Sequence, residues 1–309
     1  MGMSDAEAPK QSGDPPDVGE GSPSDVTEGS TGPTSRIPTP AAPAGVSVEP
    51  ATPEQTRAFL IGRSGRDFAV LMCEFIQQPR DPAVVDQVRS APLSELVTRG
   101  DYSGLLAYLL LCAFISNGDG ADGWSATLPL GVWARALDTT SGTRTRTQRS
   151  VTSAASKILG RLEDRKLISK ARTGRERKVT VTLLYPDGSG RDFARKDAGE
   201  KFIRYVKLSN EFWNQGWYAK LDLPAVAMFL VALNENPAGF KLPTAKVKQW
   251  YGWSADTAER GFAKLVGAGL LEKEQVTMAD PLSPIGLTTT NRYRVLPPLA
   301  PPSGVAAGL

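Results

Sequence analysis

The sequence predicts a mainly helical α+β chain in which one unit, three helices closed by a small two-stranded hairpin, occurs twice in tandem. Two observations carry this. Apolar residues recur at helical spacing through successive stretches and then give way to alternation, first at Val179, Val181 and Leu183 and again before Val295. The two runs also superimpose: Ala155, Leu159, Leu162, Leu167 and Ile168 match Ala258, Phe262, Leu265, Leu270 and Leu271, each 103 residues later. Leu128 matches Leu242 only at 114 residues. The first unit therefore carries eleven extra residues, Thr139–Arg149, between its second and third helices.

In chain order, residues 1–52 are rich in Pro, Gly, Ser, Thr and acid and are expected to be disordered, because they have almost nothing to bury. A helical extension over 53–100 follows. Within it, Phe68, Met72, Phe75 and Ile76 predict an amphipathic helix over 66–78, and Asp81-Pro82 predicts the start of another short one. The first unit, 101–186, is read as helices near 101–116, 128–137 and 150–166 and a hairpin made of "LISKAR" and "RKVTVTLLY". Residues 187–200 are a linker. The second unit, 201–296, opens on the strand "FIRYVKL" and the short helical turn "EFWNQGW". Helices follow at Leu223–Glu235, Leu242–Gly252 and Ser254–Gly269, and "LLEKEQVT" and "NRYRVL" make a second hairpin. Residues 297–309 are expected to be loose.

Composition narrows the chemistry. The chain has no histidine, which removes His-based acid–base catalysis, His metal ligands and His-containing triads. Cys73 and Cys112 each lie in an apolar run and read as small buried hydrophobes. No catalytic residue, metal ligand or cofactor is expected. The longest apolar run, Leu105–Ile115, falls well short of the roughly twenty residues that span a bilayer. With no signal-peptide pattern at its start, the chain is expected in the cytoplasm, associated with the nucleoid.

Charge points to a partner. Residues 1–50 hold eight acids against Lys10 and Arg36, a net of −6, so a total of +3 leaves +9 for the rest. Residues 139–180 alone hold twelve Lys and Arg against three acids, which is the whole of that +9. Such concentration suits a polyanion. On the 150–166 helix, Val151, Ala155, Ile158, Leu159 and Leu162 share one face, while Ser150, Ser153, Lys157, Arg161 and Asp164 share the other. In the second unit Asp256, Arg260 and Lys264 lie opposite Ala258, Phe262 and Leu265, although Asp256 and Arg260 are also spaced to pair with each other. The first hairpin puts Lys170, Arg172, Arg175, Arg177 and Lys178 around a Thr173-Gly174 turn, a probe for phosphate. The inserted stretch "TTSGTRTRTQRS" adds Arg144, Arg146 and Arg149 without an acid, and is expected to order on DNA. The second hairpin has a long, nearly uncharged tip, with Arg292 and Arg294 only on its return strand.

Three helices with a helix-turn-helix and a hairpin resemble the winged-helix family. "YGWSADTAERGFAKLVGAGLLEK" (Tyr251–Lys273) is similar to GntR-type and MarR-type regulators, through Ser254, Thr257, Leu265, Gly269, Leu270 and Leu271. "ILGRLEDRKLISK" in the first unit fits as well, but its inserted turn does not. Two such units, with "YVKLSNEFW" opening the second, resemble plasmid replication initiators over roughly residues 100–296. The resemblance implies that Ser153, Lys157, Arg161, Asp256, Arg260 and Lys264 lie on DNA-facing helices. It implies sequence-specific duplex-DNA binding in replication initiation or transcription regulation, with a homodimer or a replication or transcription protein as further partner. Two alternatives stand beside it: a protein-interaction module, and a DNA-nicking enzyme using Tyr205, Tyr251 or Tyr293.

Deleting residues 1–50 is expected to leave the melting temperature unchanged in a thermal scan. A large drop would mean that the acidic segment is structural.

Overall fold

The Thr52 hydroxyl accepts the Gln55 N–H at 3.2 Å, and the Gln55 side chain accepts the Thr52 N–H at 2.9 Å. This reciprocal cap, with Pro in the first turn, opens α1 (Pro53–Gly62). The computed structural model describes residues 49–115, 123–139, 148–173, 178–195 and 203–300. Residues 1–48 and 301–309, and with them most of both segments expected to be loose, lie outside the described residues, as do 140–147 and 174–177. From Pro50 onward the chain makes one compact unit.

The helix expected over 66–78 does not form. Phe68–Met72 is a strand, β1, followed by the single turn α2 (Cys73–Ile76). β1 pairs antiparallel with β5 (Tyr205–Ser209), Phe68 opposite Ser209 and Met72 opposite Tyr205. A short apolar run fits either period, and here a partner strand distant in sequence decided it. Ala69 and Leu71, two apart, bury fully. The short helix expected at Asp81-Pro82 is also absent. Asp81 closes a turn by accepting the Ala83 N–H at 2.9 Å, and Asp86 adopts a left-handed φ of 55°. Val84, Val85 and Val88 stay exposed there, so a helix would bury nothing. The helix of this region is α3 (Pro92–Thr98).

The first unit then runs α4 (Tyr102–Phe114), β2 (Ser125–Pro129), α5 (Leu130–Ala136), α6 (Gln148–Asp164), β3 (Ile168–Thr173) and β4 (Lys178–Leu183). The second runs α7 (Glu211–Asn214), α8 (Trp217–Lys220), α9 (Leu223–Glu235), β6 (Phe240–Lys241), a 3-10 turn at Thr244–Lys246, α10 (Val247–Tyr251), α11 (Ala255–Gly267), β7 (Leu271–Ala279) and β8 (Leu287–Val295). The helix expected from 128 begins only at Leu130, because Ser125–Pro129 pairs with β4 and bridges Ser125 to Thr182 and Thr127 to Thr180 through hydroxyls at 2.8 Å. The helix expected over 242–252 shrinks to Val247–Tyr251, after a strand that pairs Phe240 with Tyr293.

Each unit thus has a three-stranded antiparallel sheet of the same order, β2-β4-β3 and β6-β8-β7. In each, the strand before the second helix and the strand after the third flank the last strand. Val179, Val181 and Leu183 face inward on β4 as their alternation implies, and Trp133 donates its indole N–H to the Val179 carbonyl at 3.0 Å. One apolar core continues from α1 through both units to Leu299, so Pro297–Ala300 belongs to the fold and not to a loose tail. Cys73 and Cys112 are free and buried, and burial pushes their thiols up to about 11 and about 12.

α11 lies hard against α9. A Cβ on Gly261 would come within 2.4 Å of the Pro224 carbonyl oxygen and 2.6 Å of Met228. Gly261→Ala gains about 1 kcal/mol of helix propensity, but the clash with fixed backbone costs about 1–3 kcal/mol. We expect a net loss of stability in chemical denaturation; a stabilised variant would mean that α11 is free to shift. Because the core is continuous, calorimetry is expected to show one transition with equal calorimetric and van't Hoff enthalpies. Two resolved transitions would mean that the units melt separately.

Candidate nucleic-acid interface

Ser254 caps α11: its hydroxyl accepts the Thr257 N–H at 3.1 Å and shares a second hydrogen bond with the Thr257 hydroxyl at 2.9 Å. Beyond the cap, Ala258, Phe262 and Leu265 bury, and Asp256, Arg260 and Lys264 point outward. Asp256 and Arg260 form an exposed pair at 3.2 Å, the pairing that their spacing allows. Arg292 is exposed on β8, opposite Glu274. Arg294, beside it, is held by Glu272 through two nitrogens at 2.6 and 2.8 Å.

On α6, Val151, Ala155, Ile158, Leu159 and Leu162 face the core, and Ser150, Ser153, Lys157 and Asp164 are exposed. Arg161 behaves differently. It reaches Asp101, the N-cap of α4, with Nε at 2.9 Å and Nη2 at 2.8 Å, and donates to the Ser103 hydroxyl at 2.9 Å. Asp101 has a side chain only 7% exposed, and it also accepts the Gly104 N–H at 2.9 Å and pairs with Arg165 at 3.1 Å. Burial raises its pKa, but hydrogen bonds from Arg161 and Gly104 and the charges of Arg161 and Arg165 outweigh that, and the net shift is downward. The hydrogen bond to Asp101 raises Arg161 in turn. Arg161 therefore ties α6 to α4, with a side chain 40% exposed.

The first hairpin divides in the same way. Lys170 folds back to Glu163 at 2.9 Å, and Glu163 also accepts the Lys170 N–H at 3.0 Å. Arg172 is exposed near the end of β3, and Lys178 opens β4 half-buried. Arg175 and Arg177 lie outside the described residues, as do Arg144 and Arg146; Arg149 lies in the first turn of α6. Of the basic window, then, Arg161, Arg165 and Lys170 answer acids of the fold itself. Lys166, exposed just beyond α6 with a φ of 56°, was not singled out by sequence. It belongs to no helical face, so periodicity carries no signal for it.

Two of the tyrosines available to a nicking mechanism are core residues. Tyr251 is fully buried with its hydroxyl on Glu235, and burial pushes its pKa far up. Tyr293 stacks on Phe262 with ring centroids 4.3 Å apart. No helix among the described residues is long and apolar enough to cross a membrane. Comparison with protein-family models, with curated proteins and with solved structures finds no match.

Asp101 supplies a pH test. A carboxylate with a lowered folded pKa stabilises fully above its unfolded pKa of about 3.9, and that contribution is lost as pH falls through the folded value. Asp101→Asn is expected to cost about 1–3 kcal/mol at neutral pH and to flatten the stability curve below about pH 4. An unchanged acid limb would remove Asp101 as its source.

Proposed function

We propose that this protein binds duplex DNA through two tandem winged-helix units, with α6 and α11 as reading helices and the β3–β4 hairpin on phosphate. The observation that carries the reading is the repeated order of helix, strand, two helices and two strands, with the last strand central in both sheets. Each third helix buries its apolar face and leaves polar and charged side chains outside, Ser150, Ser153 and Lys157 on α6 and Arg260 and Lys264 beside Asp256 and Glu259 on α11, which suits contact with base edges and phosphates. In the first unit the reading set is Ser150, Ser153 and Lys157, with Arg172, Lys178 and the arginines of 144–149 and 175–177 for phosphate. In the second it is Lys264 and Arg292, with Asp256 and Arg260 acting as a pair and Ser254 and Thr257 shaping the helix start. Replication initiation and transcription regulation are the two roles this binding fits, inside the cell, beside the nucleoid. No catalytic step is proposed.

The second hairpin favours an added protein contact. From Gln275 to Asn291 its only charge is Asp280, and Leu282 and Ile285 at its tip are 96% and 79% exposed. Uncharged strands with an apolar tip suit a protein groove better than phosphate.

Salt dependence tests the reading. If the first unit neutralises about five to seven phosphates, log K against log[salt] should have a slope of roughly −4.5 to −6. Lys157→Ala and Arg172→Ala should each reduce that slope by about 1 on any sequence. Arg161→Ala should lower stability more than it changes the slope, since its charge serves Asp101. A slope near zero for the unaltered protein would overturn the proposal.

A further inference from the structure

Residues 53–98 touch both units, and three sets of contacts limit how one unit can turn against the other. β1 packs on α4 of the first unit and forms its five-residue ladder with β5 of the second. The ladder is closed at both ends: the Cys73 N–H donates to the Arg204 carbonyl at 3.0 Å, and the Asn210 N–H donates to the Asp67 carbonyl at 2.9 Å. Arg57, 4% exposed, makes a second tie. It donates to the Ala136 carbonyl at the end of α5 at 3.3 Å and to the Tyr218 hydroxyl of α8 at 2.7 Å, with its guanidinium 4.4 Å from the Tyr218 ring centre. A third runs directly between the units, where the Tyr102 hydroxyl of α4 lies 2.6 Å from the Tyr218 carbonyl and 2.8 Å from that of Leu221.

The reading helices share an anchor as well. α3 sends Glu95 to Arg165, just past the end of α6, at 3.6 Å. One residue earlier, Ser94 fills the space beside Gly252, the turn between α10 and α11, where a Cβ would lie 2.1 Å from the Ser94 hydroxyl oxygen. The strap before α3 follows the same course: the Arg89 N–H donates to the Gln249 carbonyl at 3.0 Å, and Gln77 to the Trp250 carbonyl at 3.4 Å. One seven-residue helix therefore sits between the C-terminal end of α6 and the turn that launches α11.

We propose that residues 53–98 are a spacing gauge: they hold α6 and α11 in one relation, so that the protein takes a composite duplex with two unlike half-sites at a single separation. This rests on the DNA reading above. Tandem readers on a free linker follow half-sites over several spacings. A pair fixed by a ladder, a buried guanidinium and a shared helix cannot follow. One inserted base pair moves a half-site by about 3.4 Å along the duplex and turns it by about 34°, since a turn of B-DNA holds about 10.5 base pairs in about 36 Å.

The test uses the full chain and a duplex selected from a random pool whose footprint covers two half-sites. The spacer is then changed by one, two, five and ten base pairs. We expect one spacing to bind, and every other to be weaker by about tenfold or more, near the affinity of a single half-site. Affinities within about threefold across the series would overturn the gauge and leave DNA binding standing. If no duplex is selected at low salt, both fail. A DNA-free measurement separates the two: Lys157→Cys and Lys264→Cys, spin-labelled with the native cysteines buried, should give one narrow distance. A broad distribution would overturn the gauge whatever DNA does. Arg57→Ala and Tyr102→Phe should widen both the distance distribution and the range of spacers bound; a variant that folds and widens neither would count against these ties.

Discussion

The antiparallel pairing of Phe68–Met72 with Tyr205–Ser209 is the constraint on which the rest of this structure depends. It adds a backbone ladder to the side-chain ties made by Arg57 and Tyr102, while Phe193, between the units in sequence, folds back on the first by packing against Trp124. With the ladder, the strand that enters the second unit is held through β1 against α4 of the first, and one apolar core runs through both. The ladder also explains why the extension before residue 100 is not a passive arm. Its strand, its strap and its short helices α1 and α3 carry the contacts that set one unit against the other.

The basic window from 139 to 180 serves two masters. Part of its charge belongs to the fold: Arg161 and Arg165 converge on Asp101, and Lys170 is held by Glu163. A carboxylate as buried as Asp101 is stable only with such partners, and removing one leaves an uncompensated charge. What is left outside, Lys157, Lys166 and Arg172 among the described residues, is thinner than the raw count suggests. A polyanion would meet this smaller set together with the arginines of the two segments outside the described residues.

The two units share an architecture and differ in their surfaces. The first sheet carries its positive charge at the hairpin. The second extends into two nine-residue strands whose far half is uncharged, and its tip is tied internally: the Ser283 hydroxyl donates to the Leu287 carbonyl at 2.7 Å and Asp280 accepts the Leu282 N–H at 3.0 Å. A tip ordered in this way presents Leu282 and Ile285 without local burial, at a cost in water that contact with another apolar surface would offset. Duplication of the scaffold thus leaves room for division of labour between units.

Local pattern is enough to specify the long elements. α4, α6, α9, α11 and β4 were legible because each has an amphipathic or wholly apolar period long enough to exclude the alternative, and because Ser254 and the 103-residue self-match mark where the elements begin. The inward and outward faces of α6 and α11 followed from the same period. Only the tertiary structure settled three short strands and the fate of the charges; β5 and α7, equally short, were legible. β1, β2 and β6 are five residues or fewer, too short for period to outweigh a partner strand that lies far away in the chain. Arg161 reads as an outward basic residue on its own helix, yet it is spent on Asp101, sixty residues earlier. A side chain's partner depends on where the chain returns in space, and local pattern carries no record of that.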